Sequence, residues 1–321
     1  NSLESIPMAI GAFLLFMFTV FRYYGDVEYR LNLNYKRYFI YYLLIGIGQS
    51  FVMITGNIDL SIGSVVGMSA MISATMMTKG MNPVVAILVT IILALVVGVV
   101  NGYLVGKFKL PPFIATLGTM FVARGIAYIV NNNRNTDNIA SGIGKEAGDR
   151  FQNIFYYGKT AGIFNTFWIA LIVFLIFWFF LARTRSGRHI YAIGSNVDAA
   201  RLSGVDVVKT TTKAYMVSGF CSAVVGFVLC AQAGMGNMDA GNMYEMYGVA
   251  AGVIGGVSPL GGSGILLGTF AGAGVWQTLE NGLNLIHAQV GFQRIIIGVI
   301  VVGAVLLDVV VRSGNFKKKK K

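Results

Sequence analysis

Residues 83–105 read PVVAILVTIILALVVGVVNGYLV, a run without one charged side chain. About 20 such residues in a helix cross the hydrocarbon of a bilayer, so this run is long enough to span one. It does not stand alone. No Asp, Glu, Lys or Arg occurs between Arg37 and Asp59, Lys159 and Arg183, Lys213 and Asp239, or Glu245 and Glu280. Of the 321 residues 55% are hydrophobic and 12% charged, against roughly a quarter charged in a soluble domain. That composition excludes most soluble classes and favours a single transmembrane domain over residues 1–321, an all-α polytopic bundle with no separate aqueous domain.

The periodicity predicts about ten spans, at 6–21, 38–55, 61–78, 83–105, 112–130, 165–181, 214–233, 246–257, 265–286 and 292–311, the eighth of them short. The first lacks a basic leader and a small-residue cleavage site and reads as a helix rather than a secretory signal. The chain starts on Asn1 instead of Met, which suggests a trimmed N-terminus. A formal net charge of +12 would raise nucleic acid as a partner, but the basic residues cluster between apolar runs, as membrane topology demands. Arg183, Arg185, Arg188, Arg201, Lys209 and Lys213 put residues 183–213 on the cytoplasmic side. Counting crossings from there puts Lys107, Lys109, Arg312 and both termini inside, with 234–245 and the long polar insertion at 131–164 outside. The lysines of 317–321 suit an anionic leaflet or an added tail. The loop at 22–37 falls outside despite its basic excess, the one misfit to this topology.

Two turns interrupt the apolar pattern, GNIDLSIGS at 56–64 and GGVSPLGGSG at 255–264. Irregular backbone at membrane depth survives only where protein or water satisfies it. Asp59 therefore reads either as a cap for the helix that follows or as a ligand contact. The second turn superficially resembles a phosphate loop, but Gly262 replaces the lysine and no strand precedes it. His189 and His287 have no ligand-spaced partners, so neither a metal site nor an enzymatic one is expected. Cys221 and Cys230, nine residues apart on one helix, lie about 13 Å apart and cannot pair. Glycines at 98, 102 and 106, at 248, 252 and 256, and at 264, 268 and 272 form bare stripes that let helices approach closely in lipid.

Within 183–213, Asn196 can cap a short helix from Val197 to Leu202 that Gly204 ends. Such a helix would present Ala199 and Ala200, with Arg201 beside them, to a groove on a partner.

At this point several motifs carry a resemblance. GNIDLSIGS, PFIATLGTM at 112–120, GRHIYAIGSNVDAARLSGV at 187–205 and NGLNL at 281–285 are similar to the membrane permeases of bacterial sugar ABC importers, with ribose, xylose, arabinose and galactose permeases nearest by motif. Nucleoside and autoinducer permeases share the pattern. The resemblance runs from about Tyr38 to Asp308. It implies a homodimer of ten-helix subunits in the inner membrane, two cytoplasmic ATPase subunits and an extracytoplasmic sugar-binding protein. It also implies that this chain binds no cofactor itself and that ATP and Mg belong to the ATPase. The family's coupling helix maps onto 194–205, making Gly187, Arg188, Gly194, Asn196, Ala199, Ala200, Arg201 and Gly204 the expected ATPase-coupling residues. A family GYELDA motif maps onto 243–248, where Tyr247 stands in place of a frequent acid. A path for a neutral polyol needs hydroxyls, amides and aromatic faces rather than charges. Asn57, Ser61, Phe113, Thr116, Tyr244, Asn281 and Asn284 are the candidates, with Asp59 and Glu245 as the acids nearby. The rival expectations are a nucleoside or other polar-solute permease and an ion-coupled carrier using Asp59 or Glu245.

Overall fold

The computed structural model describes residues 35–312; the expected span at 6–21, the loop at 22–34 and the lysine tail lie outside these. The described chain is helical almost throughout. Its elements are α1 Tyr35–Ile54, α2 Ile62–Thr78, α3 Pro83–Gly106, α4 Pro112–Ile129, α5 Ala140–Ile143 and α6 Lys145–Gln152. A π-helical turn at Asn153–Tyr157 and a hairpin, β1 Lys159–Thr160 with β2 Ile163–Phe164, lead into α7 Asn165–Arg183. Then follow α8 Arg185–Ser195, α9 Val197–Leu202, α10 Val207–Ala233, α11 Tyr244–Ile254, α12 Leu266–Leu285 and α13 Val290–Arg312. Each expected run from 38–55 onward overlaps one helix, but α10 begins at Val207, seven residues before the expected 214, and α11 ends at Ile254, three before the expected 257, where the glycine turn takes over. By length and apolar composition α3, α4, α7 and α10 can each cross a membrane.

Helices α1, α2 and α10 form the centre, with α3 against α10, α11 and α12 against α1, and α4 against α2. Facing outward are apolar stripes: Val84, Leu88, Ile92 and Val96 on α3, and Ile172, Leu175, Ile176 and Phe179 on α7. Side chains three and four apart share a helix face, so these stripes are continuous bands that hydrocarbon would cover.

Glycine stripes set the closest contacts. A Cβ on Gly98 would meet the backbone of Tyr215 and Met216, one on Gly102 that of Thr212, and one on Gly106 that of Val208, so the α3 stripe is the seam with α10. Gly248 and Gly252 seat α11 on α1, and Gly268 and Gly272 seat α12 on the end of α11. Gly256 and Gly264 depart from the expected stripes. Both lie in the turn between α11 and α12 with positive φ, +82° and +138°, where glycine's missing Cβ permits the turn itself. Cys221 and Cys230 are buried free thiols.

Two segments re-enter the bundle. Ser218 of α10 lies against Gly48, within two turns of the end of α1, and also bonds Asp59. After Ile54 the chain thus turns back alongside the last two turns of α1 before α2 begins. The segment after α10, expected to be an external loop, also turns inward. Gly236 packs on Ala70, Met71 and Ala74, the Ala240 carbonyl on Gly67 and the Gly241 carbonyl on Gly63, a descent along α2 toward its first turn. Helix α11 starts there, which is why its apolar run is short. Gly234, Gly241 and Met243 take the left-handed conformations this path requires.

Candidate functional site

The first break is held by side chains. Asp59 is buried, and its Oδ1 accepts from the Ser61 amide at 2.9 Å and the Ser61 hydroxyl at 2.6 Å. Its Oδ2 accepts from the Ser218 hydroxyl at 2.7 Å. The Ser61 hydroxyl in turn accepts from Asn101 Nδ2 at 3.0 Å, and Asn101 Oδ1 accepts from the Thr119 hydroxyl at 2.7 Å. Tyr215 donates to the Ile58 carbonyl at 3.0 Å. One carboxylate at the start of α2 therefore ties together α2, α3, α4 and α10. Asp59 is not the cap that was expected: Ser61 occupies the cap position with no side-chain cap bond, and Asp59 accepts the Ser61 amide from just outside the helix.

Facing that break is the start of α11. The Glu245 carboxylate lies over Gly63 of α2, in the space a side chain would fill. Arg124 of α4 donates to the carbonyls of Met238 and Ala240, each at 2.9 Å, fastening the re-entrant segment. Tyr128 adds a bond to Asp239 at 3.1 Å. A cavity of about 190 Å³ sits between this segment and α10, bordered by Ala70, Gln232, Asn237 and Tyr244.

The second break, between α11 and α12, is held by close backbone approach. Gly262 N–H donates to the Ile54 carbonyl at 2.9 Å. Helix α8 lies across both breaks: a Cβ on Gly194 would strike the Ile54 carbonyl and the Gly262 amide. Tyr191 of α8 donates to the Gly264 carbonyl at 2.7 Å, and burial pushes its phenol up to about 12.

Next along the chain, α9 forms as its capping pattern requires. Asn196 Oδ1 accepts the Ala199 amide at 2.9 Å, and Gly204 ends the turn at φ +81°. Its faces differ from the expectation. Ala200 is buried toward the bundle, while Ala199, Arg201 and Leu202 are exposed, Leu202 at 90%. Arg201 pairs with Asp198 at 3.6 Å. Asp206 caps α10 through the Lys209 amide at 2.9 Å, and that hydrogen bond holds its carboxyl below the usual carboxylate range. Gly187 packs on the Leu181 backbone and Arg188 is exposed. Asn57, Lys109, Gly194, Asn196, Asp198 and Arg201 border a cleft of about 620 Å³ at this end.

The candidate path residues separate. Asp59, Ser61 and Glu245 come together at the start of α2, and Tyr244 lies just beyond. Asn57 belongs to the cleft under α8 and α9. Thr116 bonds its own helix at the Pro112 carbonyl, and Phe113 is 55% exposed on the outer face of α4. Asn284 accepts from Gln293 at 3.0 Å near the far end of α12, and Asn281, one turn earlier, is half-buried. The sequence reading passed over Asn101, Thr119 and Ser218, although Asn101 is the one amide in an otherwise apolar run. It also passed over Tyr191 and Leu202. Among the described residues no three His, Cys, Asp or Glu side chains gather as metal ligands would.

Comparison with known proteins supplies a context for this geometry. The family described as branched-chain amino acid transport system / permease component matches residues 31–305. The ribose import permease protein RbsC of Bacillus subtilis is 37% identical over 265 residues, 83% of this chain and 80% of that protein. The D-allose transport system permease protein AlsC of Escherichia coli is 35% identical over 267 residues, 83% and 79% of the two chains. The autoinducer 2 import system permease protein LsrC of Salmonella paratyphi B is 34% identical over 266 residues, 83% and 74%. No solved structure matches.

Proposed function

The chain belongs to the branched-chain amino acid transport system / permease component family, and from that premise we propose that it is the membrane subunit of an ATP-driven importer of a monosaccharide. In this reading two copies, each of ten helices, form the path in the inner membrane with both termini cytoplasmic. An ATPase docks at the end bearing α8 and α9, and an extracytoplasmic binding protein delivers the sugar at the end bearing residues 131–164. The names of the ribose and D-allose permeases support the cargo class.

One observation carries the coupling part of this proposal: α8 is wedged against both helix breaks through Gly194 and Tyr191 while α9 beside it is exposed. A push or pull on α9 is then delivered to the two places where the membrane helices are discontinuous. Arg188, Ala199, Arg201 and Leu202 meet the ATPase, whereas Gly187, Gly194, Asn196, Ala200 and Gly204 shape the layer that carries the force. Asp59, Ser61, Glu245 and Tyr244 border the path beside the first break.

Co-purification from native membrane, followed by ATPase assay in lipid with a sugar-loaded binding protein, tests this. A stimulated complex is expected. Replacing Ala199 with Trp should abolish uptake with the complex still assembled, and replacing Ala200 should disturb the packing of α9 itself. The ion-coupled alternative draws on Asp59, whose hydrogen-bond partners are hydroxyls and an amide with no cation among them. Uptake by the isolated chain that follows a proton or sodium gradient and needs no ATPase would establish that alternative.

A further inference from the structure

The polar insertion at 131–164 is fastened to the re-entrant segment that follows α10. Residues 135–139 run antiparallel to 234–238. Asn135 Oδ1 accepts the Met238 amide at 3.0 Å, and the Thr136 amide donates to the Gly236 carbonyl at 3.0 Å. The Gly236 amide returns a bond to the Thr136 hydroxyl oxygen at 2.8 Å, and the Ile139 amide donates to the Gly234 carbonyl at 2.9 Å. Farther along the insertion, Gln152 Nε2 donates to the Ala231 carbonyl and the Tyr157 hydroxyl to the Gln232 carbonyl, each at 3.0 Å. The last carbonyls of a helix have no partner within it. Here the insertion takes up those of α10, which holds it in a fixed place over the end of that helix.

The segment has the build of a single movable piece. Gly234 at one end, and Gly241 and Met243 at the other, take left-handed φ of +67°, +73° and +65°, a conformation uncommon for a residue with a side chain such as Met243. The cavity of about 190 Å³ lies on its α10 side, where Met235, Asn237 and Ala240 meet space rather than a packed wall. Its far end reaches the first turn of α2, where the Gly241 carbonyl and the Glu245 carboxylate both lie over Gly63, next to the break that Asp59 holds. The two side chains that grip the segment differ in surroundings. Thr136 is buried, and its hydroxyl serves an amide that water does not reach. Asn135 is exposed, and water would serve the Met238 amide as well, so its bond adds little stability. What that bond fixes is the register of the insertion on the segment.

We infer that Asn135 and Thr136 are positioning residues for transport: they form a strap through which a partner seated on the insertion moves residues 234–243, and with them Glu245 and the first turn of α2. The inference rests on the importer reading, in which that partner is the extracytoplasmic binding protein. It gives the outer end of the chain a counterpart to α8 and α9, so that each end has its own mechanical route to the first break. The strap touches no sugar; it acts through the segment.

The test uses the full chain with its ATPase in lipid nanodiscs and its binding protein loaded with D-ribose. ATPase rate with and without the binding protein, the Kd of the binding protein and the melting temperature are read together. Asn135→Ala should lower stimulation of the ATPase at least threefold with Kd and melting temperature unchanged, and Asn135→Asp, which keeps the accepting oxygen, should retain stimulation. Thr136→Val should lower stimulation and melting temperature, and Thr136→Ser should recover both. In a second readout, Ala240→Cys should react with a membrane-impermeant maleimide at least fivefold faster once the loaded binding protein is added, and Asn135→Ala should abolish that acceleration. The wild-type chain, whose Cys221 and Cys230 are buried, sets the background. Stimulation within twofold of wild type in both Asn135→Ala and Thr136→Val would overturn the strap and leave the importer reading standing, as would a maleimide rate that ignores the binding protein. A weakened Kd that accounts for the lost stimulation in Asn135→Ala would also overturn it, by assigning Asn135 to the docking face. A wild-type chain that assembles with no ATPase would overturn the importer reading, and the strap with it.

Discussion

The two breaks lie at the same end of the bundle under the same helix, yet opposite means keep them in place. Residues 55–61 are secured by side chains: Asp59 accepts from Ser61 and Ser218, and Ser61 carries the chain of bonds on to Asn101 and Thr119. Residues 255–265 are secured by the lack of side chains, with glycines at positive φ letting backbone approach backbone. A hydrogen-bonded break responds to changes in chemistry at constant volume, whereas a close-packed one responds to added volume whatever its chemistry. Helix α8 touches both, so one motion of the docking layer reaches a polar junction and a steric one together.

Gly194 is where the two breaks cannot be separated, and Gly194→Val should have the largest effect. Its new side chain would occupy the positions of the Ile54 carbonyl and the Gly262 amide, a backbone clash costing more than about 3 kcal/mol. Loss of folded protein on size-exclusion chromatography is expected; a stable, monodisperse variant would mean that α8 is not wedged against the breaks. Asp59→Ala comes next. It strips the Ser218 hydroxyl and the Ser61 amide of their acceptor in a buried site, which should lower stability by about 3 kcal/mol. Asp59→Asn, equal in volume, should still lower the melting temperature, and an unchanged value would contradict a break held by chemistry.

Gly262→Ala probes the other break. At φ +73°, with a Cβ 2.9 Å from the Ser195 Cα, it should cost about 2 kcal/mol. Replacing Gly262 by Ser should cost the same, since polarity is irrelevant to a steric junction; a marked rescue by Ser would blur the contrast. Tyr191→Phe is the mildest. Losing one hydrogen bond to the Gly264 carbonyl should cost about 1 kcal/mol. Melting temperature should fall slightly while ATPase stimulation by the binding protein falls further, because the bond links α8 to the second break. Equal small changes in both would assign Tyr191 to packing alone.

Asp59 also shows how much of the site was legible. The local cap signal was readable because it involves neighbours in sequence. Its partners Ser218 and, through Ser61, Asn101 and Thr119 come from other helices, and no local pattern announces them. Gly98, Gly102 and Gly106 announced a seam by their spacing, and the structure supplied its other side in α10. Gly256 and Gly264 share that spacing with helical neighbours but serve a turn. Spacing alone does not reveal where a helix has already ended.

The amino-acid sequence determined the helical class, the positions of the long apolar helices to within a few residues apart from the start of α10, the capped α9 and the family, because each depends on short-range periodicity, capping or contiguous similarity. Tertiary structure decided that residues 55–59 and 234–243 turn back into the bundle, and that Ala200 faces inward and Leu202 outward. These depend on which helix faces pack together. That choice is set by contacts between residues distant in the chain, and in particular by where the absence of a Cβ lets two backbones meet.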